Sequence, residues 1–235
     1  MSETVQFTPE KPLALITHIL FDMDGLLLDT EVLYTKAQQK ILDRYGLKFT
    51  PEVKSLMMGR KAMEAAQVMI DHYGIKMDPE QFIRERNEIL ATMFPTCDLM
   101  PGVLRFLVHL KKHSVPMAIA TSSHKAHFDL KTAKHRELFE KMFSHVVTGD
   151  DVTKSKPEPE IFIKAAEKFG SDIDPGKVLV FEDAPVGVEA ANKANMNVIW
   201  VYDWQTPHNP NVKCTQKMKS LFYLKPELYG LPSFR

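Results

Sequence analysis

The chain has 235 residues, 44% of them hydrophobic, enough for one core with an insertion or for two small domains. Lys plus Arg number 30 and Asp plus Glu number 30, so the basic excess of a nucleic-acid binder is missing, while a few local cations can still receive a small anion. Its two cysteines, Cys97 and Cys214, form no CxxC pair, no basic leader with an apolar run opens the chain, and no segment is apolar for a membrane span; the expectation is a reduced, cytoplasmic monomer that engages neither membrane nor nucleic acid.

Residues 1–14 lack periodicity. Thr17–Phe21 is a short apolar run of β-formers that stops at Asp22-Met23-Asp24-Gly25, the profile of a buried parallel strand opening a site. From about Thr30 to Thr92 the apolar residues recur at helical spacing, through Leu33, Ala37 and Ile41, then Ala66, Met69 and Ile70, then Phe82, Ile83 and Leu90, with Gly46 and Gly74 as stops. The methionines of this stretch read as core filler, and Asp29 and Thr30 as caps or hinge residues of its first helix.

After Pro101-Gly102 the pattern becomes strand–helix alternation. Helices are predicted over 103–113, 125–134, 159–169 and 185–195, and strands over 115–120, 145–148, 177–181 and 197–201. Repeated β-α units imply a parallel sheet with right-handed crossovers. The reading is therefore an α/β fold: a Rossmann-like core of residues 1–29 and 93–235, interrupted after its first strand by a helical insert over 30–92. The tail from about Pro207 carries turn formers and little periodicity.

Polar side chains collect at the strand ends: Asp22 and Asp24; Thr121 and Ser122; Asp150 and Asp151; Glu182 and Asp183. The carboxyl ends of parallel strands share one crevice, and Lys156 follows the third strand closely enough to join it. Crowded carboxylates repel one another unless a cation neutralises them, and an all-oxygen donor set suits magnesium. A magnesium ion beside a lysine and a hydroxyl receives a phosphate dianion, an aspartate can attack phosphorus, and a second carboxylate can move the proton. Each residue also has a plainer use. Asp22 and Asp24 could cap a turn, Thr121 could cap the next helix, Lys154 competes with Lys156, and Asp150 and Asp151 could support a metal indirectly or merely end a strand.

Together these residues resemble the four motifs of the haloacid dehalogenase-like hydrolases: Asp22-Met23-Asp24-Gly25, Thr121, Lys156 and Glu182-Asp183, in order over about residues 16–205. Ser155, where the family often has glycine before the lysine, is a departure. The segments FDMDGLLLDTE, MMGRKAMEAA and FEDAPVGVEAA are similar to a eukaryotic subgroup that includes pseudouridine 5′-phosphatases and plant-type glycerol 3-phosphatases. The resemblance implies a helical cap of the C1 type over residues 30–92. It implies Asp22 as nucleophile, Asp24 as general acid and base, and Thr121, Ser122 and Lys156 on the phosphate, with Lys156 also keeping Asp22 ionised. It implies Mg2+ held by Asp22, the Asp24 carbonyl, Asp183 and Glu182. In the insert, Arg60 of Gly59-Arg60-Lys61 is the side chain that could fork onto substrate.

The expected function is a magnesium-dependent phosphatase that hydrolyses a small phosphomonoester through an aspartyl-phosphate, pseudouridine 5′-phosphate being favoured and glycerol 3-phosphate next. The alternatives are a β-phosphoglucomutase-like phosphotransferase on the same core and, from another class, a phospho-acceptor or binding module without turnover.

Overall fold

Strand β1 (His18–Phe21) is the apolar run that stops at Asp22, and it lies at the centre of a six-stranded sheet. A computed structural model describes residues 15–57, 60, 62–202 and 212–234. The other strands are β2 (Met117–Ala120), β3 (Val146–Val147), β4 (Val178–Glu182), β5 (Asn197–Val201) and β6 (Gln216–Met218). Their order is β3-β2-β1-β4-β5-β6, and every pairing is parallel. Phe21 is level with Ile119 of β2 and Phe181 of β4, so Asp22 emerges one step beyond, between the carboxyl ends of two neighbouring strands.

The two sheet faces are filled differently. Ile19, Phe21, Met117, Ile119, Leu179, Phe181 and Ile199 point to one face, where they meet α5 (Val103–Lys112), α6 (Lys125–Lys131) and α7 (Arg136–Met142). Phe21 stacks on Phe181 at 5.1 Å, and Phe106 of α5 packs edge-on against both rings. Leu20, Ala118, Ala120, Val178, Val180, Val198 and Trp200 point to the other face, under α8 (Glu160–Glu167) and α9 (Pro185–Lys193). This strict alternation on a sheet covered on both sides explains why the strands read as unbroken apolar runs.

Between β1 and α5 come α1 (Thr30–Leu42), α2 (Pro51–Met57), α3 (Ala62–Tyr73) and α4 (Pro79–Met93). They share a cluster of their own, built from Ile41, Leu42, Val53, Met57, Ala66, Met69, Ile70 and Phe82. Met57 and Met69 are core filler, as expected. Gly46 ends the first helical segment at φ 67°, and Asp78 caps α4 by accepting from the Glu80 N–H. Asp29, in contrast, makes no cap hydrogen bond, and Thr30 is buried with an unpartnered hydroxyl, so the expected capping role is corrected. The start of α1 is held instead by the Asp29 N–H to the Asp98 carbonyl, across the two strands of chain that enter and leave the insert.

Several boundaries move. The predicted helix over 125–134 ends at Lys131 and is followed by a 3-10 turn and by α7, which the sequence reading did not separate. Strand β3 keeps only two residues of the predicted four. The tail contributes β6 and then buries Leu221, Leu224, Tyr229 and Leu231 against the phenylalanine-rich face. Among the described residues no helix is long and apolar enough to cross a membrane.

Candidate active site

Asp22 leaves β1 into the crevice with only 6% of its surface exposed. Its Oδ1 accepts from Lys156 Nζ at 2.6 Å, and the same ammonium donates to Glu182 Oε1 at 2.7 Å and to the Ala120 carbonyl at 3.1 Å. Lys156 thus ties the ends of β1, β2 and β4 together. Its loop is held from below by Glu160, at the start of α8, which accepts from the N–H groups of Thr153 and Lys154 and from the Thr153 hydroxyl. Lys154, the rival lysine, turns up as the donor of a backbone N–H to that carboxylate.

Carboxylate oxygens of Asp22, Glu182 and Asp183 all lie within 4.8 Å of one another. Glu182 is buried, with its second oxygen accepting from the Ala184 N–H at 2.9 Å. The Asp183 backbone is fixed by Trp200, whose indole N–H donates to its carbonyl at 2.7 Å. Two glycines make room. A Cβ on Gly25 (φ 75°) would overlap the Asp183 carboxylate, and one on Gly187 in α9 would overlap that of Glu182.

Burial raises the Asp22 pKa to about 7; Lys156 opposes this, while Glu182 and Asp24 add to it. Lys156 acts toward the ionised carboxylate, the direction the resemblance implies, while dehydration and the neighbouring acids act against it. Asp183 is raised as well, by burial and then by Glu182 and Asp22. For Lys156, burial favours the neutral amine, but Asp22 and Glu182 outweigh it and leave the pKa raised. A divalent cation would relieve this crowding, and a donor set of oxygens alone matches a hard cation such as magnesium.

Asp24 belongs to a second cluster. Its Oδ1 accepts from Lys131 Nζ at 2.7 Å and its Oδ2 from the Ser123 hydroxyl at 2.8 Å, which leaves its carboxylate outside the three-acid group. Lys131 appeared in no motif. Its one sequence signal is position, three residues after the buried Phe128 on the same face of α6.

The remaining predicted residues fall in different places. Thr121 is fully buried, and its hydroxyl accepts from the Ser123 N–H at 3.1 Å. Ser122 is exposed on the loop between β2 and α6. Asp150 receives the Lys125 N–H at 2.8 Å and lies 2.6 Å from His124 Nδ1, so it holds the start of α6. Asp151 accepts from the N–H and hydroxyl of Thr148 in a capping box. Both have structural partners of their own, which accounts for the pair without a metal. Arg60 is exposed, with its Nε donating to the Leu56 carbonyl at 2.7 Å; Gly59 and Lys61 lie outside the described residues. Cys97 and Cys214 are unpaired thiols, and burial pushes Cys97 up to about 12.

A parallel sheet with three acids, a bridging lysine and a buried threonine at adjacent strand ends is the site of an α/β protein that could hold a cation beside an anion. The chain belongs to the haloacid dehalogenase-like hydrolase family, whose model matches residues 19–201. It is 52% identical over 225 residues to (DL)-glycerol-3-phosphatase 1, mitochondrial, of Arabidopsis thaliana, covering 94% of this chain and 75% of that one. It is 44% identical over 227 residues to the "Probable pseudouridine-5'-phosphatase" of Drosophila melanogaster, covering 95% and 98%. In fold it is similar to a HAD family hydrolase from Deinococcus radiodurans, with a TM-score of 0.80 at 21% identity over 94% of this chain and 100% of that one.

Proposed function

We propose that the chain is a magnesium-dependent phosphatase that hydrolyses a small phosphomonoester through an aspartyl-phosphate on Asp22. The observation that carries this reading is the Lys156 ammonium bridging Asp22 and Glu182 at the ends of adjacent strands, two residues from a second aspartate. Lys156 occupies Asp22 Oδ1, which leaves Oδ2 to attack phosphorus. The new bond is Asp22 Oδ2 to phosphorus, the bond that breaks is phosphorus to the leaving alcohol oxygen, and Asp24 gives that oxygen its proton. Water then attacks the phosphorus, Asp24 takes the proton back, and inorganic phosphate leaves with Asp22 restored.

Lys156, the Thr121 hydroxyl and the backbone around Ser122 are assigned to the phosphate oxygens. Asp22, the Asp24 carbonyl, Asp183 and Glu182 would hold the Mg2+, Glu182 directly or through its neighbours. Bound there, the ion neutralises charge on the transferred group. The insert over 30–92 is read as a cap that shuts water out during turnover, with Arg60 assigned to polar groups of the substrate beyond the phosphate. Pseudouridine 5′-phosphate and glycerol 3-phosphate are the leading substrates, the two supported by the names of the relatives.

The test is phosphate release with magnesium from a panel holding both compounds, uridine 5′-phosphate, phosphoglycolate and β-glucose 1-phosphate. Release from one of them, lost with chelator and lost in Asp22→Asn, is the expected result. A folded Asp22→Asn variant that keeps its activity would overturn the mechanism.

A further inference from the structure

The site holds a second buried lysine that the phosphatase reading does not use. Lys131 is 1% exposed, although it is the last residue of a short helix where a lysine would ordinarily reach solvent. Its ammonium is 2.7 Å from Asp24 Oδ1 and 2.9 Å from Ser123 Oγ, and Ser123 donates to Asp24 Oδ2 at 2.8 Å. The three groups close a triangle in which both Asp24 oxygens are held. The ammonium also lies 4.7 Å from the centroid of the Phe94 ring, in the turn after α4, and 5.6 Å from that of the Tyr34 ring, in α1.

Lys131 is buried while Asp24 is partly exposed, and a charge buried in this way is weak evidence for stability, since an apolar replacement of like volume often serves the fold as well or better. What the triangle does supply is direction. A carboxylate on a free loop would sample several rotamers, whereas this one is gripped at both oxygens by groups from β2's loop and α6. Each aspartate of the pair has its own lysine: Lys156 on Asp22 and Lys131 on Asp24.

We propose that Lys131, aided by Ser123, is the positioning residue that aims Asp24 at the leaving-group oxygen of the substrate. This rests on the phosphatase reading, and the experiment separates the two. A leaving group that needs a proton feels the loss of an aimed acid; one that departs as a stable anion does not. Phenyl phosphate and 4-nitrophenyl phosphate form such a pair with nearly the same shape. kcat/KM, which covers the steps through departure of the leaving group, is measured with both for the full chain, Asp24→Asn, Lys131→Met, Lys131→Arg and Ser123→Ala.

General acid catalysis contributes ~100- to 10,000-fold, and mispositioning forfeits part of it. Lys131→Met is therefore expected to lose about tenfold more on phenyl phosphate than on 4-nitrophenyl phosphate, with KM for either changed little. Ser123→Ala should show the same selectivity more weakly, and Lys131→Arg should recover part of the phenyl phosphate rate. Equal losses on both substrates in Lys131→Met and Ser123→Ala, with the selectivity present in Asp24→Asn, would overturn the positioning role. No selectivity in Asp24→Asn itself would overturn Asp24 as the acid, and the role of Lys131 with it. Should Lys131→Met fail to fold by circular dichroism, Ser123→Ala and Lys131→Arg decide the matter by the same ratio.

Discussion

Glu160 holds the loop that delivers Lys156, and four donors converge on its carboxylate: Lys164, the N–H groups of Thr153 and Lys154, and the Thr153 hydroxyl. They lower its pKa from 4.5 to about 2. A depressed carboxyl stabilises the fold above its unfolded value and loses that contribution as pH falls through the folded value. The loop is thus expected to hold near neutrality and to loosen between 4.5 and about 2, read from the amide signals of Thr153 and Lys154, with Glu160→Gln abolishing the dependence. At Gly187 an added methyl must displace Glu182, so Gly187→Ala should cost ~1–3 kcal/mol of stability and weaken cation binding together, checked by denaturant melts with and without Mg2+. That Asp22, Glu182, Asp183 and Lys156 meet in one crevice was legible in the sequence because the acids follow apolar runs and the lysine comes soon after the third strand. Lys131 was not, because a lysine at a helix end reads as solvated, and only the ring contacts from distant residues 34 and 94 bury it.

At the scale of elements, beside the cluster that joins Leu33, Ala37 and Leu90 to the core, the insert has one of its own. Phe82 of α4 is fully buried there, and Phe82→Ala should cost ~3–5 kcal/mol. That loss is expected to speed amide exchange in α3 and α4 while β1, β2 and β4 stay protected, a split that a single cooperative unit would not show. The repeating β-α pattern was plain in the sequence, since strands covered on both faces and amphipathic helices have distinct periods. The failures were short or edge elements. Strand β6 is a polar three-residue edge strand, Gln216–Met218, and α7 is one helical segment of seven residues; neither is long enough to establish a period. Asp150 and Asp151 could be read as indirect support for a metal or as a plain strand end, and only the fold shows that Lys125 and Thr148 already occupy them.

Over the whole molecule, four carboxylates of the site, Asp22, Asp24, Glu182 and Asp183, face two ammonium groups, Lys131 and Lys156. Full ionisation leaves two negative charges in a dehydrated crevice, and a divalent cation cancels them. Magnesium should accordingly raise the melting temperature of the chain, by an increment that grows with the logarithm of its concentration, and should raise it far less in Asp183→Asn; differential scanning fluorimetry reads both. The parallel order with β1 at the centre makes this possible, because it brings acids from distant parts of the sequence to neighbouring strand ends.

Gly25 lies against the Asp183 carboxylate and Gly187 against that of Glu182. In a saturation scan these two positions should behave as switches with a single tolerated letter, since every other amino acid brings at least one carbon into the acid's place. The apolar core positions should instead grade smoothly with volume and shape. Such a contrast would map the outline of the acid cluster from survival counts alone, with no ligand or substrate in hand.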